Sequence, residues 1–301
     1  MIQPTPLIPG DLIYITAPAK ITDPKTVLFA KEYLEKNGFN VLVSAHCFGN
    51  HHYFSGTEEE RLTDLQFGID HPDVRAILCA RGGYGSIRIL DRINWANVLL
   101  EPKWVIGFSD ITVFHHRLQK LGIQSIHATM PISFQKNTDE ALATLLESMT
   151  GKFTPYALPP NKSNKIGTAT GNLIGGNLSI VYSMLGTNDQ YDFENSILFL
   201  EDVGEHYYQV ERMIFALSKA GVFEKIKGLI IGGMTDLEDT DPPLGRSIEE
   251  IILEQLQFSN MPVIFNFPSG HIDDNRALVF GKRTQICVND NETTVSYLNQ
   301  V

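Results

Sequence analysis

Along residues 11–122, short apolar runs alternate with longer stretches whose apolar residues recur every three or four positions. Residues 11–18 (DLIYITAP) read as a buried strand closed by a proline; 40–45 (NVLVSA), 74–80 (VRAILCA) and 103–108 (KWVIGF) read as further strands. Amphipathic helices lie between them. Asp23 is placed to cap a helix that begins at Pro24 and stops at Gly38. Thr57 and Glu60 have capping-box spacing at the start of residues 57–70 (TEEERLTDLQFGID). Helices through 89–93 (ILDRI) and over 110–122 (DITVFHHRLQKLG) complete the series. Strands separated by helices of this length imply βαβ units, a parallel sheet and a doubly wound α/β domain.

Over residues 151–168 (GKFTPYALPPNKSNKIGT) the pattern lapses into a polar, proline-rich stretch, the signature of an interdomain linker. Beyond it the pattern is less regular. Residues 170–186 (TGNLIGGNLSIVYSMLG) read as a glycine-rich turn entering a helix, 196–202 (SILFLED) as a strand and 205–221 as an amphipathic helix. A strand at 227–234, a helix at 246–258 and a strand at 261–268 follow. Residues 284–288 (TQICV) and 294–298 (TVSYL) form a closing hairpin. The expected organisation is α/β: a parallel-sheet domain over 1–155, a linker over 156–170, and a smaller mixed α+β domain over 171–301.

Composition narrows the partners. The 301 residues are 43% hydrophobic and 20% charged, ordinary for a globular chain, with a net charge of −11. That charge is repelled by phosphate backbones and anionic membranes, so neither nucleic acid nor membrane is an expected partner. Cys47, Cys79 and Cys287 are scattered and form no CxxC pair. No basic, apolar leader is legible at the N-terminus, and the expected location is the cytoplasm. No metal-ligating spacing occurs; the acidic stretch at 236–243 (DLEDTDPP) lacks the calcium-loop pattern and reads as a solvated loop.

The most suggestive local feature is residues 104–112 (WVIGFSDIT), where an apolar strand meets a helix at Ser109. A serine on such a turn presents its hydroxyl outward, and the amide of Asp110 sits where it can receive an oxyanion. The ordinary alternative is that Ser109 or Asp110 caps the helix. An elbow of this kind usually has a small residue two positions after the serine, whereas this chain has Ile111. A serine needs a base, and the base an orienting acid. Open α/β sheets gather ligands at the carboxyl ends of strands, which Glu201 and Asp202 occupy. Neighbouring strand residues face opposite ways, so at most one of them faces a site. His271 follows another strand and opens the turn HIDDN, whereas His51 and His52 lie in a loop and His115 and His116 read as surface or packing residues of a helix. The turn at 81–85 (RGGYG) offers amides to an anion but has neither the dinucleotide spacing nor the P-loop lysine. Cys79, inside an apolar run, reads as core.

With these residues assembled, the chain resembles the LD-carboxypeptidase family, which also includes the microcin C self-immunity peptidases. The likeness runs through GDLIYITAPA, FSGTEEERLTDL, ARGGYGSIRILDRI, VIGFSDIT, IGGNLSIV, LFLEDVGEHYYQVERM, GLIIGGM and PVIFNFPSGHIDDN. It implies a flavodoxin-like N-terminal domain carrying the nucleophile, a C-terminal domain supplying acid and base, and a homodimer. The implied triad is Ser109, Glu201 and His271. The implied task is removal of the terminal D-alanine from murein tetrapeptides, a small-molecule substrate, with no cofactor. The oxyanion falls to the amide of Asp110 with that of Gly82 or Gly83, and the substrate carboxylate to Arg81. One departure is Ala128-Thr129 after His127, where the family often has glycine-proline. Two other readings remain: an immunity-type amidase acting on aminoacyl or peptidyl sulfamoyl adenylates, and an anion-binding protein without catalysis. The adenylate substrate invites a stacked tryptophan, and Trp95 and Trp104 both precede the elbow.

Overall fold

In the computed structural model, which describes residues 1–298, strand and helix alternate as the chain pattern requires. The first stretch runs β1 (Leu12–Thr16), α1 (Pro24–Lys36), β2 (Asn40–Val43), α2 (Glu58–Asp70), β3 (Val74–Cys79), α3 (Ile87–Leu90), α4 (Ala96–Leu100), β4 (Trp104–Gly107), α5 (Thr112–Lys120), β5 (Ser125–His127) and α6 (Asp139–Met149). The second runs β6 (Tyr156–Leu158), β7 (Gly167–Asn177), α7 (Leu178–Ser183), β8 (Ser196–Val203), α8 (Tyr207–Lys219), α9 (Val222–Lys225), β9 (Gly228–Thr235), α10 (Ile248–Gln255), β10 (Val263–Ile264), β11 (Leu278–Phe280), β12 (Arg283–Val288) and β13 (Thr293–Tyr297). These elements form two compact units. One is residues 1–152 with 273–279; the other is 153–272 with the described residues from 280 to 298.

The first unit is built on a sheet ordered β11-β5-β4-β3-β1-β2, with β1 to β5 paired in parallel. Its order 2-1-3-4-5 is that of flavodoxin-like folds. The strands read as unbroken apolar runs because helices cover both faces; Ile13, Ile15, Ile77, Leu78 and Ile106 are fully buried. The helix ends follow local chemistry. Asp23 accepts from the Lys25 amide at 2.9 Å, and the Thr57 hydroxyl and Glu60 carboxylate satisfy each other's backbone amides at 3.2 and 2.8 Å. At the other end of α2, the buried Lys103 ammonium donates to the carbonyls of Gly68 and His71, although burial lowers its pKa. Lys103→Met removes the donor to the Gly68 carbonyl and leaves that of His71 with the Val74 amide at 3.2 Å, and the expected cost is about 1–3 kcal/mol. It reads out as a lower urea midpoint at an unchanged m-value; an unchanged midpoint would contradict the capping role.

Residues 273–279 return to this first unit. Asp273 accepts from the Thr138 amide at 3.0 Å and Asn137 Nδ2 at 2.8 Å, Ala277 donates to the Thr144 hydroxyl at 2.9 Å, and β11 forms the sheet edge beside β5.

The second unit has a mixed sheet ordered β10-β9-β8-β7-β12-β13-β6. Strands β7 to β10 are parallel, whereas β12, β13 and β6 add antiparallel pairings, including the expected β12–β13 hairpin. Leu198, Leu200, Leu229 and Ile231 pack with Val210, Ile214 and Leu217 of α8 and Ile251 and Ile252 of α10.

Several local expectations give way here. Residues 170–177 are strand rather than turn. Their glycines serve close packing of backbones: a Cβ on Gly175 would stand 1.8 Å from the Phe199 carbonyl oxygen, and one on Gly171 2.5 Å from that of Asn195. Part of the stretch read as a linker is structured, because Tyr156–Leu158 pairs with β13 and β7 begins at Gly167. Pro155, Pro159 and Pro160 are compatible with that strand because it is short and lies at the sheet edge. The strand expected over 261–268 is only Val263–Ile264, since Asn266 turns to φ +57°. The helix through 89–93 ends at Leu90.

Candidate functional site

Ser109 follows the carboxyl end of β4 and opens a 3-10 turn (Ser109–Ile111) that leads directly into α5. Its φ is +61°. A left-handed serine costs on the order of 1–3 kcal/mol and persists only where its surroundings over-determine it. Several of those surroundings are visible. Gly107, two residues before the serine, has φ +157°, and a Cβ there would lie 2.9 Å from Ile111 Cγ1. The large residue at position 111 is therefore accommodated by the missing side chain at 107. Asp110 turns its carboxylate away into the unit, where Oδ2 accepts from the Ser86 amide at 2.8 Å. Burial raises the Asp110 pKa, although bonds from Ser86 and Gly85 and the charge of Arg61 oppose the rise.

The turn after β3 lies against this elbow. A Cβ on Gly82 would stand 3.0 Å from Ser109 Cβ and 3.2 Å from both the Ser109 hydroxyl and the Asp110 amide nitrogen. Gly83 has φ +99° and packs on the Lys20 side chain. Arg81 is half-buried and donates from Nη1 to the Ile21 carbonyl at 3.0 Å. Behind the turn, buried Arg61 of α2 holds the carbonyls of Pro18 at 2.6 Å and Gly85 at 3.0 Å. Its position on an otherwise amphipathic helix gave no sign of this role. Cys79 is fully buried, and burial raises its thiol pKa, consistent with a core residue.

In the second unit, Glu201 and Asp202 face opposite ways at the end of β8. Asp202 accepts from Asn177 Nδ2 and the Ser179 amide, each at 2.9 Å, fastening the start of α7. Burial, followed by the neighbouring charge of Glu201, raises its pKa to about 6. Glu201 is fully buried, and its Oε2 lies 2.6 Å from His271 Nδ1. The β8–β9 register slips at Glu201, from Leu200 opposite Ile231 to Asp202 opposite Met234. Such bulges re-aim side chains beside functional sites.

Three glycines allow this pairing. A Cβ on Gly270 would lie 2.8 Å from Glu201 Cβ; on Gly232, 2.4 Å from the Ser269 carbonyl oxygen; and on Gly233, 2.9 Å from Ile272 Cγ2. The loop carrying His271 is tied to β9 through Gly233 N to Ser269 O at 2.9 Å and Thr235 Oγ1 to His271 O at 3.1 Å. Burial alone would lower the His271 pKa. The charge and hydrogen bond of Glu201, with the charges of Asp202 and Asp236, outweigh it and raise the pKa above the ordinary histidine value. Strand-end position marks His271 and the pair Glu201 and Asp202, and the family resemblance singles out Glu201; the glycines at 232, 233 and 270 are the further signal that the strands and loop approach closely.

Each unit therefore carries one chemical component: a strained serine beside a glycine turn in the first, and a buried carboxylate–imidazole pair in the second. Among the described residues, no three His, Cys, Asp or Glu side chains form a group able to hold a metal ion, and no helix is long and apolar enough to cross a membrane.

Comparison with known proteins gives this arrangement its class. The profile of the LD-carboxypeptidase N-terminal domain matches residues 13–128 and that of the C-terminal domain residues 170–286; the chain belongs to this peptidase family. A Synechocystis sp. protein provisionally named a carboxypeptidase is 32% identical over 95% of this chain and 94% of its own. The murein tetrapeptide carboxypeptidase of Pseudomonas aeruginosa is 31% identical, covering 90% of this chain and 91% of its own. Among solved structures, muramoyltetrapeptide carboxypeptidase from Oxalobacter formigenes superposes with a TM-score of 0.87 at 28% identity, over 96% of this chain and 99% of that one. The microcin C7 self-immunity protein MccF, bound to adenosine monophosphate, gives 0.88 over 99% of this chain and 100% of that one; at 23% identity this likeness concerns the fold alone.

Proposed function

We propose that this chain is a serine carboxypeptidase that cleaves the bond before the terminal D-alanine of murein tetrapeptides. The observation that carries the reading is the buried 2.6 Å contact between Glu201 and His271 Nδ1. It assigns Nδ1 as the donor to the carboxylate and leaves Nε2 to act as the base. In the mechanism, Nε2 takes the Ser109 proton as the hydroxyl attacks the carbonyl before D-alanine. Glu201 holds the imidazole tautomer and stabilises the imidazolium. The amides of Asp110 and of Gly82 or Gly83 receive the oxyanion, each contributing about 3 kcal/mol to the transition state. The imidazolium then protonates the departing amine, and water resolves the acyl-enzyme.

Arg81 is assigned to the substrate carboxylate, with one nitrogen already occupied by Ile21. Relatives named for murein peptides support the substrate class. The absence of tryptophan after residue 104 argues against stacking an adenylate from the second unit. A cytoplasmic homodimer belongs to the same reading.

Purified protein incubated with murein tetrapeptide should release D-alanine, and Ser109→Ala should reduce kcat by about 10⁶-fold, to a rate near background. Full activity in that variant would remove the serine mechanism. Release of an amino acid from a sulfamoyl adenylate, with no action on tetrapeptide, would replace the substrate assignment.

A further inference from the structure

The elbow at Ser109 has a support that its own backbone does not supply. We infer that His115 is a positioning residue, a latch beneath the elbow that fixes Ser109 by tying the Gly107 carbonyl to α5 and β5. The inference rests on the reading of Ser109 as nucleophile.

The ring of His115 is buried, with Nε2 2.9 Å from the Gly107 carbonyl oxygen and Nδ1 2.8 Å from the Ser125 hydroxyl. A carbonyl only accepts, so Nε2 carries the proton and Nδ1 accepts from Ser125. Burial lowers the pKa to about 4, against the opposing hydrogen bond to Gly107, and the ring is neutral at ordinary working pH. The sheet bond from the Ala128 amide to the same carbonyl is longer, 3.3 Å, making the histidine the closer of the two donors. Gly107 is two residues before Ser109, and His115 sits in the first turn of the helix that begins just after the elbow. The latch therefore closes a short loop around the strained residue. His127, on β5, packs against both His115 and Phe108 with ring centroids 6.3 and 5.8 Å away, backing the residue that precedes the serine.

A latch of this kind acts on the geometry of attack more than on substrate binding. Misplacing a nucleophile by about 1 Å costs roughly 10²-fold in rate. The test measures kcat and KM on tetrapeptide, with the thermal midpoint, for His115→Met, His115→Gln and Ser125→Ala, using Ser109→Ala as reference. Methionine fills the space without a donor, glutamine restores a donor toward Gly107, and Ser125→Ala removes only the group that sets the tautomer.

The expected result is at least about a tenfold fall in kcat for His115→Met, with KM within about twofold. Most of that loss should be recovered in His115→Gln, with an intermediate kcat for Ser125→Ala. Wild-type kcat in folded His115→Met overturns the inference, as does a loss that glutamine fails to recover. If His115→Met does not fold, unchanged kcat in Ser125→Ala overturns it. Retained activity in Ser109→Ala would instead remove the nucleophile assignment, so failure of the latch and failure of the underlying reading give different results.

Discussion

Glu201→Gln is expected to lower kcat by about 10⁴-fold while leaving the protein folded. Glutamine matches the shape of glutamate, but its amide can satisfy the wrong imidazole tautomer and cannot stabilise an imidazolium. A second signature follows from the His271 pKa. A general base works as the neutral imidazole, so activity rises as pH passes upward through that pKa. In the wild type, the raised pKa places the acid limb of the pH–rate profile above the ordinary histidine value near 6.5. Removing the Glu201 charge leaves burial as the largest remaining influence, and the limb moves to lower pH. A residual rate within tenfold of wild type, or an unmoved limb, would show that this carboxylate is not the orienting acid.

Gly82→Val is expected to produce the next largest loss, about 10²-fold or more in kcat. Even a methyl group at this position would press within 3.0 Å of Ser109 Cβ and 3.2 Å of its hydroxyl and the Asp110 amide. Valine adds two further carbons to that space. The serine must shift, or the 81–85 turn must retreat, and on the proposed mechanism either change separates the nucleophile from its oxyanion donors. The thermal midpoint checks that the fold survives, and steady-state kinetics measure the loss. Unaltered kcat would mean that this turn is remote from the reaction.

The features legible in the sequence are those fixed by near neighbours. Asp23 with Pro24, and Thr57 with Glu60, set helix ends through contacts spanning a few residues, and α1 and α2 begin where those signals lie. The opposite orientations of Glu201 and Asp202 follow from strand alternation and were equally readable. Residues 170–177 read as a turn in the sequence because glycine is ambiguous there: it marks a turn when isolated and a close backbone approach when a partner strand lies against it. The pairings with β8 and β12 distinguish the two. Tyr156–Leu158 and Leu278–Phe280 carried no usable pattern because each is three residues long and is defined by a distant partner. His115 illustrates the same limit at the candidate site. Its place on α5 was evident, but its two hydrogen bonds depend on strands that meet only in the folded unit.

The return of residues 273–279 to the first unit also bears on the timing of synthesis. The first unit's sheet lacks the strand beside β5 until the ribosome has emitted Leu278–Phe280, more than a hundred residues after α6, and β5 stays an open edge during that interval. A chain cut after residue 152 would inherit the same exposed edge permanently, and adding the remaining chain as a separate molecule would have to supply the missing strand from outside.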